Sequence, residues 1–223
     1  MDLSDIANAT FESLCIGFTG LNLLAILRDK QVRGFSLITS LFFVTWTIWN
    51  VFYYASLRQP VSVWGTFAAN VQYTNYIFLV FYYVWLERNN QQEVRMWRLF
   101  GQSMTLAVYL ALGLLLARMG FTYHAGSAWP DALNGFFETG GGIFSLLNCK
   151  AILRDQELKG ASLIAFCFYV LWGLWNLYYY PHLGQYLSWY GGILIVLVNS
   201  WYIYLILYFR VQKVRVSIKP VMD

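Results

Sequence analysis

Two stretches, ILRDKQVRGFSLI at 26–38 and ILRDQELKGASLI at 152–164, match without a gap at an offset of 126 residues. The register continues past them: Trp46, Trp49, Asn50, Tyr53, Tyr54, Gln59, Ser62 and Gly65 meet Trp172, Trp175, Asn176, Tyr179, Tyr180, Gln185, Ser188 and Gly191. Over 25–65 against 151–191, 20 of 41 positions are identical. Apolar composition alone cannot align an Arg-Asp pair, single amides and paired tryptophans. The stretches therefore read as two copies of one unit, and a repeat of this kind fixes the architecture before any single element is assigned.

The solvent follows from composition. At 59% hydrophobic, 20% aromatic and 12% charged residues, the chain is more apolar than a soluble domain needs to be. A helix rising 1.5 Å per residue crosses the hydrocarbon layer in about 20 residues. Apolar stretches of that length occur at 8–27, 35–57, 62–86, 99–119, 132–153, 161–180 and 187–209, which predicts seven transmembrane helices. Arg28, Lys30, Arg33, Arg88, Arg95, Arg98, Arg154, Lys159, Arg210, Lys213, Arg215 and Lys219 follow the odd-numbered spans, whereas Arg58 and Arg118 lie on the other side. The positive-inside rule then places the N-terminus outside and the C-terminus in the cytoplasm. Asp2 and Asp5, not a basic segment, precede the first span, so it reads as a retained helix. The inner loops account for the net charge of +4, which argues for anionic lipid headgroups and against nucleic acid.

Span one maps onto span five and span two onto span six, so the copies run in the same direction across the membrane. The expected organisation is all-α in a 3+1+3 plan. A first triple-helix bundle occupies 1–88, a linker region with the fourth helix 89–126, a second bundle 127–210 and a cytoplasmic tail 211–223. Parallel repeats of this kind recur among secondary transporters.

With the repeat in place, the chain resembles the SWEET, SemiSWEET and PQ-loop superfamily over both halves. In that family a Pro-Gln pair near the inner end of the first helix precedes a basic loop, a Gly-x-Ser-like turn and a second helix ending in Trp-x-x-Tyr-Gly. Here Leu21-Asn22 and Leu147-Asn148 stand at the Pro-Gln positions, followed by KQVRGFSL and ELKGASL and then by WNVFY and WNLYY. Neither repeat keeps the family's proline. Gly17, Gly20, Gly140, Gly141 and Gly142 offer flexibility in its place. The resemblance implies a transporter of sugars or other small polar metabolites working by alternating access.

The polar residues inside the spans are the candidate site. Asp5, Asn8 and Glu12 repeat as Asp131, Asn134 and Glu138, at spacings that share one helix face. These faces are expected to approach each other across the pseudo-twofold axis, with Glu12 and Glu138 binding a proton or cation; the alternative places them at the outer water interface. Trp49, Asn50, Tyr53 and Asn70, with Trp175, Asn176, Tyr179 and Asn199, are expected to bind substrate. In strict register Asn199 aligns with Tyr73 and Asn70 with Val196. Trp46, Trp172, Tyr54 and Tyr180 read as interfacial belts, and Asn22 and Asn148 as hydrogen-bonding positions between helices. The latter two, with Arg28, Asp29, Arg154 and Asp155, are the gating candidates, an ion pair between repeats being one way to close the cytoplasmic mouth.

Cys15, Cys149 and Cys167 lie in apolar spans without metal-ligand spacing and read as small hydrophobes; His124 and His182 fall in outer loops. No nucleophile triad, metal set or cofactor motif appears, so neither an enzyme nor a cofactor is expected. The partners implied are a small polar solute and the bilayer, with protons and a homo-oligomer left open. Other classes on the same plan are a KDEL-receptor-like sorting receptor, which needs cationic residues in its cavity, and a vitamin, nucleoside or cationic amino-acid transporter.

Overall fold

The computed structural model describes residues 3–57, 59–88 and 128–218. They form α1 (Leu3–Asp29), α2 (Leu37–Ser56), α3 (Pro60–Arg88), α4 (Trp129–Asp155), α5 (Leu163–His182) and α6 (Tyr186–Ile218). Six of the seven expected spans thus coincide with a helix; the span at 99–119 and the linker 89–126 lie outside the described residues. The last helix runs on through Ile218, so 211–218 of the expected tail is helical.

By length and hydropathy α1, α2, α5 and α6 can each cross a membrane, and α3 and α4 match them in length. The polar residues of α4, Asp131, Asn134, Glu138, Ser145 and Asn148, are buried, so its low hydropathy is not what faces lipid. Outward-facing side chains include Leu24, Trp64, Phe78, Leu171 and Leu197, a surface suited to hydrocarbon and not to water. The chain is an integral, multi-pass membrane protein.

Helix ends are specified locally and in duplicate. α1 and α4 end on Arg-Asp and pass into a left-handed residue, Lys30 (φ 50°) and Gln156 (φ 52°), a common way to satisfy terminal carbonyls. α2 and α5 begin after Ser36 and Ser162, both extended, and the Ser36 hydroxyl accepts from the Thr39 amide at 3.4 Å. Between them Gly34 and Gly160 share φ 76°. A Cβ on Gly34 would strike the Glu157 carbonyl and one on Gly160 the Gln31 carbonyl, so both conformation and space demand glycine.

Those clashes are across the repeat, because the loops 30–36 and 156–162 lie side by side. The Arg33 amide donates to the Lys159 carbonyl (3.2 Å) and the Lys159 amide to the Arg33 carbonyl (3.1 Å), a single antiparallel bridge. Positions 33 and 159 are repeat equivalents, so the bridge sits on the pseudo-twofold axis, and α1 and α4 both run toward it. Within each bundle the third helix packs on the other two, α3 on α1 and α2, α6 on α4 and α5; the bundles meet through α2 on α4 and α1 on α5.

Buried aspartates seat the third helices. Asp5 Oδ1 accepts from the Ser62 amide (3.0 Å) and hydroxyl (2.7 Å), and Asp131 Oδ1 from the Ser188 amide and hydroxyl (both 2.8 Å). Each carboxylate thereby satisfies donors left over in the first turn of a neighbouring helix and complements its dipole. One turn further on, a Cβ at Gly65 would come within 2.9 Å of Glu12 Cβ, and one at Gly191 within 2.5 Å of Glu138 Cβ. The repeated glycines let the glutamate-bearing helices close on α3 and α6.

Candidate functional site

Between the bundles lies a cavity of about 110 Å³. Its wall is built largely from repeat equivalents: Trp46 and Trp172, Asn50 and Asn176, Asn22 and Asn148. Symmetry breaks where Tyr73 faces in opposite Asn199, where Phe43 is matched by Tyr169, and at Glu138, whose equivalent Glu12 is not on the wall. Four buried atoms of wall residues have no hydrogen-bond partner in the protein: Nε1 of Trp46, Nε1 of Trp172, Oδ1 of Asn176 and Oε2 of Glu138. Leaving such a group unpaired costs about 1–3 kcal/mol, which marks the two indole donors and the two oxygens as candidate contacts for a polar molecule.

At the loop end the bundles lock reciprocally. Asn148 Oδ1 accepts from the Ser36 amide (2.7 Å) and Asn22 Oδ1 from the Ser162 amide (2.8 Å). Asp155 Oδ2 accepts from the Gly34 amide (2.8 Å) and Asp29 Oδ2 from the Gly160 amide (2.9 Å). Arg28 grips Asp29 through Nε (2.6 Å) and Nη2 (3.2 Å), and Arg154 grips Asp155 likewise (2.6 and 2.9 Å). These four residues pair within their own repeats, while an ion pair that does cross between repeats joins Arg33 Nε to Glu157 Oε1 at 3.6 Å. Each arginine orients the aspartate beside it, and the aspartate crosses to a backbone amide of the other bundle. Tyr76 and Tyr202 brace the loops from the third helices, donating to the carbonyls of Gly160 (2.9 Å) and Gly34 (2.6 Å).

The opposite end is closed by aromatic residues. The Tyr53 hydroxyl donates to Gln185 Oε1 (3.4 Å) and Tyr179 to Gln59 Oε1, both across the bundles. Trp49 stacks on Phe137 (5.7 Å, 14° between planes) and Trp175 on Phe11 (5.3 Å, 13°). Of the residues singled out for substrate binding, Asn50, Asn176 and Asn199 line the cavity. Trp49, Tyr53, Trp175 and Tyr179 instead stand at its aromatic end, and Asn70 is off the wall, its Oδ1 accepting from Thr74 at 3.4 Å. Trp46 and Trp172, read from the sequence as interfacial belts, are wall residues. Tyr54 and Tyr180 are not belt residues either: both are buried, Tyr180 donating to Glu138 Oε1 and Tyr54 facing Glu12. Phe43, Tyr73 and Tyr169 also line the cavity, and of these only Tyr73 carries a sequence signal, its repeat equivalence to Asn199.

Glu12 and Glu138 are 1% and 0% exposed, so neither lies at a water interface. They do not converge in the cavity as a symmetric pair, since each packs against its own third helix at Gly65 or Gly191. Glu12 Oε1 and Glu138 Oε2 have no hydrogen-bond partner in the protein. The faces below them differ too. Asn8 donates to Ser62 Oγ (3.1 Å) and accepts from Trp175 Nε1 (3.2 Å), whereas neither amide atom of Asn134 has a partner. Lys150 is exposed and off the wall. Among the described residues no three His, Cys, Asp or Glu side chains cluster as metal ligands.

No protein-family model matches the sequence, and no curated protein matches it either. The fold does have a solved counterpart. A eukaryotic SWEET transporter, determined at 3.7 Å resolution, matches it with a TM-score of 0.54 and 14% identity, over 94% of this chain and 99% of that one. At such identity the likeness is one of architecture: this chain is an all-helical integral membrane protein with the fold of a SWEET transporter.

Proposed function

We propose that the chain is a membrane transporter that moves a small polar solute, a sugar in the first instance, by alternating access through the axial cavity. The observation that carries the reading is the cavity's construction. Equivalent residues of two bundles form its wall, and hydrogen bonds between the bundles lie at both of its ends. Opening either end breaks contacts between the bundles and leaves the packing inside each bundle intact, which is the geometry that rocking requires. Hydroxyl groups accept from the Trp46 and Trp172 indoles and donate to Asn176, while the apolar face of a sugar ring lies against the aromatic wall.

Proton coupling belongs to the same reading. A carboxylate without a cationic partner costs several kcal/mol in the membrane interior, so proton exchange at Glu12 and Glu138 accompanies whatever movement wets them. A receptor for a peptide carboxylate is disfavoured by Lys150, the one lysine of α4, which stands outside the cavity.

The test is uptake by proteoliposomes holding the purified full chain, with a panel of labelled sugars, nucleosides, vitamins and amino acids. Trp172→Phe keeps a ring and removes the N–H; Asn176→Ala removes the acceptor. Each is expected to reduce sugar uptake about tenfold, the loss of one hydrogen bond to a buried group. Uptake of nothing in the panel, or sugar uptake indifferent to both changes, rejects the reading.

A further inference from the structure

Resting on that reading of the axial cavity, we infer that its preferred solute is a hydroxylated molecule carrying an amine cation, held between the carboxyl of Glu138 and the aromatic wall. Among the described residues the charge inventory of the wall is one-sided: Glu138 is its only carboxyl, and it contains no Lys, Arg or His. An anion finds nothing to pair with. Tyr180 donates to Glu138 Oε1, which leaves Oε2, fully buried, without a partner in the protein. A buried carboxylate in this condition is stabilised most by a charged donor, because a charge-assisted hydrogen bond is roughly twice as strong as a neutral one.

Trp46, Trp172, Phe43, Phe166 and Tyr169 surround the same space, and the face of an aromatic ring attracts an ammonium group once water is removed. Glu12 occupies the equivalent place in the first bundle, buried to the same degree, yet it is not on the wall. The carboxyl therefore acts from one side of the axis only. It selects one amine on one end of the solute, and the indole N–H groups and Asn176 are left to read hydroxyls elsewhere on it.

Glucose, glucosamine and N-acetylglucosamine separate the terms, since they share a ring and differ at one substituent: hydroxyl, amine or neutral amide. Binding of each to the full chain in lipid nanodiscs at about pH 7, where an aliphatic ammonium is largely protonated, gives the comparison. Glucosamine is expected to bind about tenfold more tightly than either neutral sugar, consistent with one added ion pair in a desolvated site. Glu138→Gln should bring the three together, and Glu12→Gln should leave the preference standing. Equal binding of all three by the native chain overturns the inference, and needs no variant to fold; so does a preference that survives Glu138→Gln or disappears in Glu12→Gln. Binding of none of the three rejects the sugar reading itself, a different outcome from binding without preference.

Discussion

Asp131 shows how much a single side chain can organise in this protein. Its carboxylate takes the amides of Leu187 and Ser188 and the Ser188 hydroxyl, and so starts α6 from a position on α4. Asp131→Ala leaves those donors unsatisfied and should lower stability by about 1–2 kcal/mol, with Asp131→Asn recovering part of it; thermal unfolding of the purified protein reads both. Gly191→Ala places a Cβ 2.5 Å from Glu138 Cβ, whereas at Gly17 nothing lies within 4 Å. The first should cost about 1–3 kcal/mol and the second should be neutral or slightly stabilising, a contrast that the same melting experiment checks. Residue identity made part of this legible, since Asp, Ser and Gly recur together in both repeats. It could not decide between Trp46 and Trp49, which sit three positions apart and so project only about 60° from each other around the helix. Both are preserved at 172 and 175, and only packing shows that one lines the cavity while the other stacks on Phe137.

The starts of α2 and α5 are legible as elements but not as contacts. A glycine and a serine before an apolar run announce each helix. That the Ser36 amide is held by Asn148, 112 residues away, is invisible without the fold. The same gap explains the arginines: charge at a helix end suggests an ion pair, but neighbours one residue apart satisfy each other and free the aspartate to reach across. Replacing Asp29 and Asp155 together by alanine removes both charge-assisted bonds to Gly160 and Gly34. The loop end should then open about tenfold more often, or more. Cys15, buried on the cavity wall, reports it through faster maleimide labelling in a Cys149→Ala/Cys167→Ala background; an unchanged rate would mean these bonds do not hold the end shut.

For the whole molecule, the offset of 126 residues carried the architecture, because direction across the membrane follows from counting spans between equivalents. The structure agrees in making α1 and α4 run toward one shared bridge. Depth and convergence were not legible: periodicity puts Glu12 and Glu138 on equivalent faces, and only the small asymmetries between bundles bring one of them to the wall. The basic residues around the loop end predict that it faces the cytoplasm. A C-terminal epitope should therefore be reached by antibody only after cells are permeabilised, and detection on intact cells would invert the orientation.

The backbone bridge between Arg33 and Lys159 joins a position to its own equivalent. Around it, Asn22, Asp29, Asn148 and Asp155 each accept from a backbone amide of the other bundle, and each of these contacts has its repeat equivalent, so each half of the chain carries both the side chains that reach out and the backbone that is reached. A gene encoding only the first half would thus specify a surface complementary to a copy of itself, and two such polypeptides could assemble as an isologous homodimer around a cavity with two identical sides. What the second half adds is difference: Asn199 opposite Tyr73, Tyr169 opposite Phe43 and a carboxyl on one wall alone. Fusion of the halves supplies what a symmetric pair never has, a cavity that can tell the two ends of a solute apart.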